Sequence, residues 1–145
     1  MQNFPHHYAV SAAATSDANV ELTSPGLATI DSAPPAEFGG PGDRWSPESL
    51  LVAAVADCFI LSFRAIARAS KFEWDSLNCD AEGTLDRVDR VNQFTGFQLR
   101  VVLDCPQGTN EEKAMRLLEK AEEICLITNS LRSEAHLTAE VRIAG

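Results

Sequence analysis

Four cysteines, Cys58, Cys79, Cys105 and Cys125, offer this sequence its most versatile chemistry. A thiol attacks only as its thiolate, so each must be read with its surroundings. Leu77, Cys79, Ala81, Gly83 and Leu85 alternate with Asn78, Asp80, Glu82 and Thr84, while Phe97, Leu99, Val101, Leu103 and Cys105 share one face of the run that follows. Cys79 and Cys105 therefore fall on the inward phase of strands, where a free cysteine behaves as a small hydrophobe. Cys58 differs. Its helical neighbours are Leu51, Ala54, Val55, Leu61, Ser62 and Ala65, three of them small, which leaves room beside the sulfur for a ligand or a second sulfur. Apolar surroundings raise a thiol pKa, so Cys58 is an inert core residue unless a cation approaches it.

Arg44 is the candidate cation. It lies in a glycine-rich loop four residues before Glu48, which could hold the guanidinium in a two-pronged salt bridge and aim it at the sulfur. The plainer role for Glu48 is as an acid in the first turn of a helix. Arg64 and Arg68, with Asp57, draw a polar stripe that faces away from Cys58. There is no C-x-x-C pair, and the spacing of His6, His7 and His136 fits no structural zinc site.

The elements that must position these residues read as an α+β chain. Tyr8-Ala-Val-Ser, Asn19-Val-Glu-Leu-Thr and Leu27-Ala-Thr-Ile are short strand-like runs separated by turn residues, which predicts an N-terminal β-meander. Residues 34–45 form a Pro/Gly loop with no regular structure. Ser46-Pro47-Glu48 is a helix start: a serine cap, proline at the first position and an acid in the first turn. The helix runs to about residue 70. Apolar residues cover most of its circumference, so it should be buried, wrapped by sheet or by a second subunit. Residues 76–105 predict a hairpin whose joining stretch, around Asp89-Arg-Val-Asn-Gln, is too long for a tight turn. Thr109-Asn-Glu-Glu112 has capping-box spacing. An amphipathic helix follows through Ala114, Leu117, Leu118, Ala121 and Ile124, with Cys125 at the end of its buried face, and a last strand spans His136 to Ile143.

At 145 residues the chain is expected to form a single domain, 1–145. A net charge of −9 disfavours nucleic acid and anionic membranes. The N-terminus has neither the basic nor the apolar region of a secretory signal, and the longest apolar run, Leu50 to Ala56, is too short to span a bilayer. The cytoplasm is the expected compartment, where thiols stay reduced unless they are catalytic.

Glu37-Phe-Gly-Gly-Pro-Gly-Asp-Arg-Trp-Ser-Pro-Glu48, followed ten residues later by Cys58 in Ala-Val-Ala-Asp-Cys-Phe, resembles the OsmC/Ohr family of osmotically inducible and organic hydroperoxide resistance proteins. Ala121-Glu-Glu-Ile-Cys125-Leu-Ile-Thr-Asn-Ser-Leu131 resembles the family's second cysteine helix. The resemblance implies an OsmC-like intertwined homodimer with active sites at the subunit interface. It also implies a thiol peroxidase acting on organic hydroperoxides. Carried over, the attacking thiol falls on Cys58, the resolving thiol on Cys125 and the arginine-orienting acid on Glu48. No metal, flavin or haem is implied, and a lipoyl-type or thioredoxin-type dithiol would restore the thiols. Two departures stand out: Leu126 follows the second cysteine where relatives carry proline, and residues 11–18 lack the arginine of the hydroperoxide resistance branch. Two other classes are compatible with the same residues, a hydrophobic-ligand-binding protein and a thiol redox sensor. Only turnover separates them from a peroxidase.

Overall fold

Turn chemistry organises the first stretch of a computed structural model that describes Met1–Gly145. The chain divides into two units, Met1–Leu50 and Leu51–Gly145. In the first, β1 (Ser11–Ala13), β2 (Val20–Thr23) and β3 (Ile30–Ser32) form the expected antiparallel meander. Gly26, at φ 77°, turns β2 toward β3, and the Leu27 N–H donates to the Ser24 carbonyl at 3.1 Å. The first and third strands begin three residues later than their apolar runs suggest. Pairing with β2, which sets Ser11 opposite Thr23 and Ile30 opposite Leu22, decides the boundary instead.

The Pro/Gly loop is more ordered than its composition implies. It holds one 3₁₀ turn, Ala36–Phe38, closed by Gly39 at φ 84°. Gly40 lies so close to the Pro34 carbonyl that no Cβ fits. Trp45 then returns to the sheet edge, where its carbonyl accepts from the Ala33 N–H at 2.9 Å. Ser46 caps the helix that follows, α1 (Pro47–Ala69). Its Oγ accepts from the Ser49 N–H at 3.1 Å, and Ser49 Oγ accepts from the Ser46 N–H at 2.9 Å. This is capping-box reciprocity with serine in the place of glutamate.

In the second unit, β4 (Ser76–Val88), β5 (Val91–Cys105) and β6 (Ala135–Ile143) make a sheet in that order. β4 and β5 are antiparallel; β6 runs parallel to β5, reached through α2 (Glu111–Ile124) and α3 (Leu126–Asn129). Alternation on β5 is as expected: Phe97, Leu99, Val101, Leu103 and Cys105 are all buried. They meet Ala114, Leu117, Leu118 and Ala121 of α2 and Val55, Phe59, Phe63 and Ala67 of α1 in one core.

Three expectations are corrected. The β4–β5 connection is tight after all, because Asp89 and Arg90 both adopt positive φ, 50° and 67°, the geometry of a two-residue type I′ turn. The cap of α2 is Asn110 and not Thr109: its side chain accepts from the Lys113 N–H at 3.0 Å, while Thr109 Oγ1 donates to Pro106. Ile124 is exposed, since the helix ends there. Within one chain, α1 is buried along a single stripe, Val55–Phe59–Phe63–Ala67, at a spacing of four. Its other side stays open, with Leu61 49% exposed. The helix is long and apolar enough to cross a bilayer, but that stripe is core.

Candidate functional site

Two helices and one strand bring three thiols together. Cys58 is half-buried on α1, at the flank of its core stripe, with Ser62 Oγ one turn on at 3.9 Å from its sulfur. Cys125 sits at the corner between α2 and α3. Its backbone, φ −60° and ψ 107°, is no longer helical, and its N–H donates to Glu122 at 3.3 Å. Leu126 takes the first position of α3, the place in a helix that proline favours, so α3 starts there without proline. Thr128 Oγ1 donates to the Cys125 carbonyl at 3.1 Å. The Cys125 side chain is sealed, the residue being 1% exposed.

The Cys58 thiol lies near enough to Cys125 to act on its titration. Burial pushes the Cys125 pKa up, hydrogen bonds with Thr128 oppose this, and the Cys58 thiol raises it further. Cys79 is the third member. It faces inward on β4, and its thiol is pushed up to about 11 by burial, then by Asp80 and Cys125. Cys105 also has a raised pKa, from burial and from Asp75 and Asp104, with Thr109 opposing, and no other thiol acts on it. All four cysteines are free.

Cys58 and Cys125 are thus brought together, while the charged candidates are arranged otherwise than expected. Arg44 is 43% exposed in its side chain and pairs with its neighbour Asp43 at 3.4 Å, so the anticipated Glu48–Arg44 ion pair is not formed. Glu48 Oε2 is buried without a hydrogen-bond partner. It borders a 540 Å³ cavity of the first unit, lined mainly by apolar side chains including Val20, Leu22, Ala33 and Phe38. Sequence reasoning missed the proximity of Cys79 to Cys125. The inward phase of β4 marked Cys79 as buried, but nothing in its spacing showed which element would lie against it.

A family model described as OsmC-like protein matches residues 40–140. The chain is 27% identical over 116 residues to the uncharacterized protein YmaD of Bacillus subtilis, covering 77% of each. It is 29% identical over 110 residues to an organic hydroperoxide resistance protein of Xanthomonas axonopodis pv. citri, covering 72% of each. Among solved structures, an OsmC-like protein of unknown function from Vibrio cholerae superposes with a TM-score of 0.81 at 20% identity, over 94% of this chain and 99% of that one. An organic hydroperoxide resistance protein OsmC from Legionella pneumophila gives 0.74 at 28% identity, over 95% and 99%. A family match spanning residues 40–140, on an α+β fold shared with these structures, establishes that the chain belongs to the OsmC/Ohr family.

Proposed function

We propose that this protein is a cytoplasmic, thiol-dependent peroxidase that reduces organic hydroperoxides to alcohols. The Cys58 thiolate attacks the distal oxygen of R–O–O–H, the O–O bond breaks, and the alcohol leaves with Cys58 as a sulfenic acid. Cys125 displaces water from that sulfur and forms a Cys58–Cys125 disulfide. A lipoyl-type or thioredoxin-type dithiol then returns both thiols.

The observation that carries this reading is the nearness of two thiols of unequal exposure, the Cys58 thiol raising the Cys125 pKa: Cys58 is half-buried and reachable, Cys125 is sealed. Relatives named for organic hydroperoxide resistance support the substrate class. Arg44 is the proposed activator of Cys58, oriented by Glu48. The support is the partnerless Glu48 oxygen, since a buried carboxylate without a cation or donor is costly. Reaching it requires Arg44 to leave Asp43. The open apolar side of α1 supports a homodimer of single OsmC-like domains, 1–145, because a second copy would cover it.

One observation favours a second reading. The 540 Å³ apolar cavity of the first unit suits a hydrophobic-ligand-binding protein. Peroxide consumption with dihydrolipoamide as reductant, comparing wild type with Cys58→Ser, decides between them. A peroxidase turns over many equivalents in wild type and none in the variant; stoichiometric or no consumption by wild type sinks the enzymatic reading.

A further inference from the structure

Cys79 is a thiol that the two-cysteine cycle leaves unused. Its setting is that of a participant. α1 lies antiparallel over β4. At one end a Cβ on Gly83 would meet the Val52 side chain at 2.9 Å, and at the other the Phe63 ring packs on Trp74, just before β4, with centroids 5.3 Å apart. Cys58 falls between Val52 and Phe63 on the helix, and Cys79 falls between Gly83 and Trp74 on the strand. The crossing therefore brings the two cysteines to the same level. Cys125, whose titration Cys58 influences, also bears on Cys79. Cys79 points inward from β4, opposite Val101 of β5, so its sulfur is on the same side of the sheet as the helices.

We infer that Cys79 is a third redox-active thiol, which takes Cys125 out of the Cys58–Cys125 disulfide and so frees Cys58 to reduce a second hydroperoxide before any reductant arrives. The inference rests on the peroxidase cycle proposed above. The step is thiol–disulfide exchange: the Cys79 thiolate attacks the Cys125 sulfur, the Cys58–Cys125 bond breaks, and its electron pair leaves on Cys58. The proton lost by Cys79 is balanced by the one Cys58 can take up, and nothing is oxidised or reduced overall. One disulfide has moved from Cys58 on α1 to Cys79 on β4, with Cys125 common to both. Cys58, again a thiol, meets a second R–O–O–H and stops as a sulfenic acid, since Cys125 is now engaged.

The test is a titration of the reduced full chain with an alkyl hydroperoxide, up to two equivalents, without reductant, followed by acid quench, alkylation and non-reducing peptide mapping. Wild type should consume two equivalents and yield a Cys79–Cys125 link. Cys79→Ala should consume one and retain Cys58–Cys125. A wild type that stops at one equivalent with Cys58–Cys125 alone overturns the inference. If wild type consumes no hydroperoxide, the peroxidase reading fails by itself, and the exchange is decided by Cys58→Ser treated with diamide. A Cys79–Cys125 bond in that variant upholds the reach of Cys79; two alkylated thiols refute it.

Discussion

Cys79 and Cys105 belong to one sheet and to neighbouring strands. The β5 partner of Cys79 is Val101, and Cys105 lies four positions further along that strand. Both side chains turn toward the core, and burial pushes both thiols up. Their neighbours differ. Near Cys79 stands the Cys125 thiol at the end of α2, on which Cys58 of α1 acts in turn. Around Cys105 the sheet ends in carboxylates, Asp75 and Asp104, and a threonine hydroxyl. Burial thus makes a cysteine quiet in both places; only the company of other thiols would give one of them the proposed redox role.

The sharpest way to break this contrast is by mutation at its two poles. Cys58→Ser should slow hydroperoxide consumption at least about a thousandfold, roughly 4 kcal/mol in the barrier. Cys105→Ala should leave that rate within about twofold and cost only about 1 kcal/mol of stability, as a small core truncation does. Stopped-flow consumption and urea unfolding of both variants supply the numbers; a Cys105 variant that loses activity while folded would erase the distinction.

A smaller effect comes from pH. The folded pKa of Cys79 stands above its ordinary value, at about 11 against 9.0. The folded state therefore keeps the proton longer than the unfolded chain does. Its stabilising effect is full below pH 9 and is lost as pH rises toward 11, by about 1 kcal/mol for a half-buried group after solvent screening. Urea midpoints measured across that range should fall more steeply in wild type than in Cys79→Ala. Parallel slopes would show that Cys79 is no more shielded in the folded state than in the unfolded chain.

The smallest effect belongs to the rim near Cys105. Asp104 accepts from Arg142 at 2.9 Å and from the Ser76 hydroxyl at 3.0 Å, which holds its carboxyl below the usual carboxylate range. A depressed folded pKa contributes stability above the ordinary value and loses it as pH falls through the folded one. For so exposed a pair, Asp104→Asn should lower the thermal midpoint near neutrality only at the edge of detection, and the difference should vanish in acid. A loss that persists at low pH would mean the side chain acts by packing.

Much of this arrangement was legible in residue order. Ser46-Pro47-Glu48 marked the start of α1, and the period-two run from Phe97 to Cys105 marked the inner face of β5. Less was legible where a preference of the folded chain overrides composition. Arg90 at φ 67° has no sequence signature, so a two-residue turn looked like a long loop. Thr109 and Asn110 are both good caps, and the Thr109 hydroxyl is taken by Pro106. For α1, composition reports how apolar the circumference is, not how much of it one chain covers. Pairing of Cys58 with Cys125 came from family resemblance, because no spacing rule relates residues on two separate helices. Charged partners were least legible: Arg44 is as close in sequence to Asp43 as a residue can be, and that neighbour holds it.

The corner at Cys125 bears on how this sulfur can change partners. A cysteine inside a helix would have to bend that helix to reach first one sulfur and then another. Cys125 instead ends α2, whose Ala114, Leu117, Leu118 and Ala121 stay fixed in the core, and precedes the four-residue α3. Rotation about its own N–Cα bond, with α3 following as a short arm, redirects the sulfur without breaking the hydrogen bonds of α2. The exchange of one disulfide for another is then a movement at a single joint, with the rest of the frame at rest.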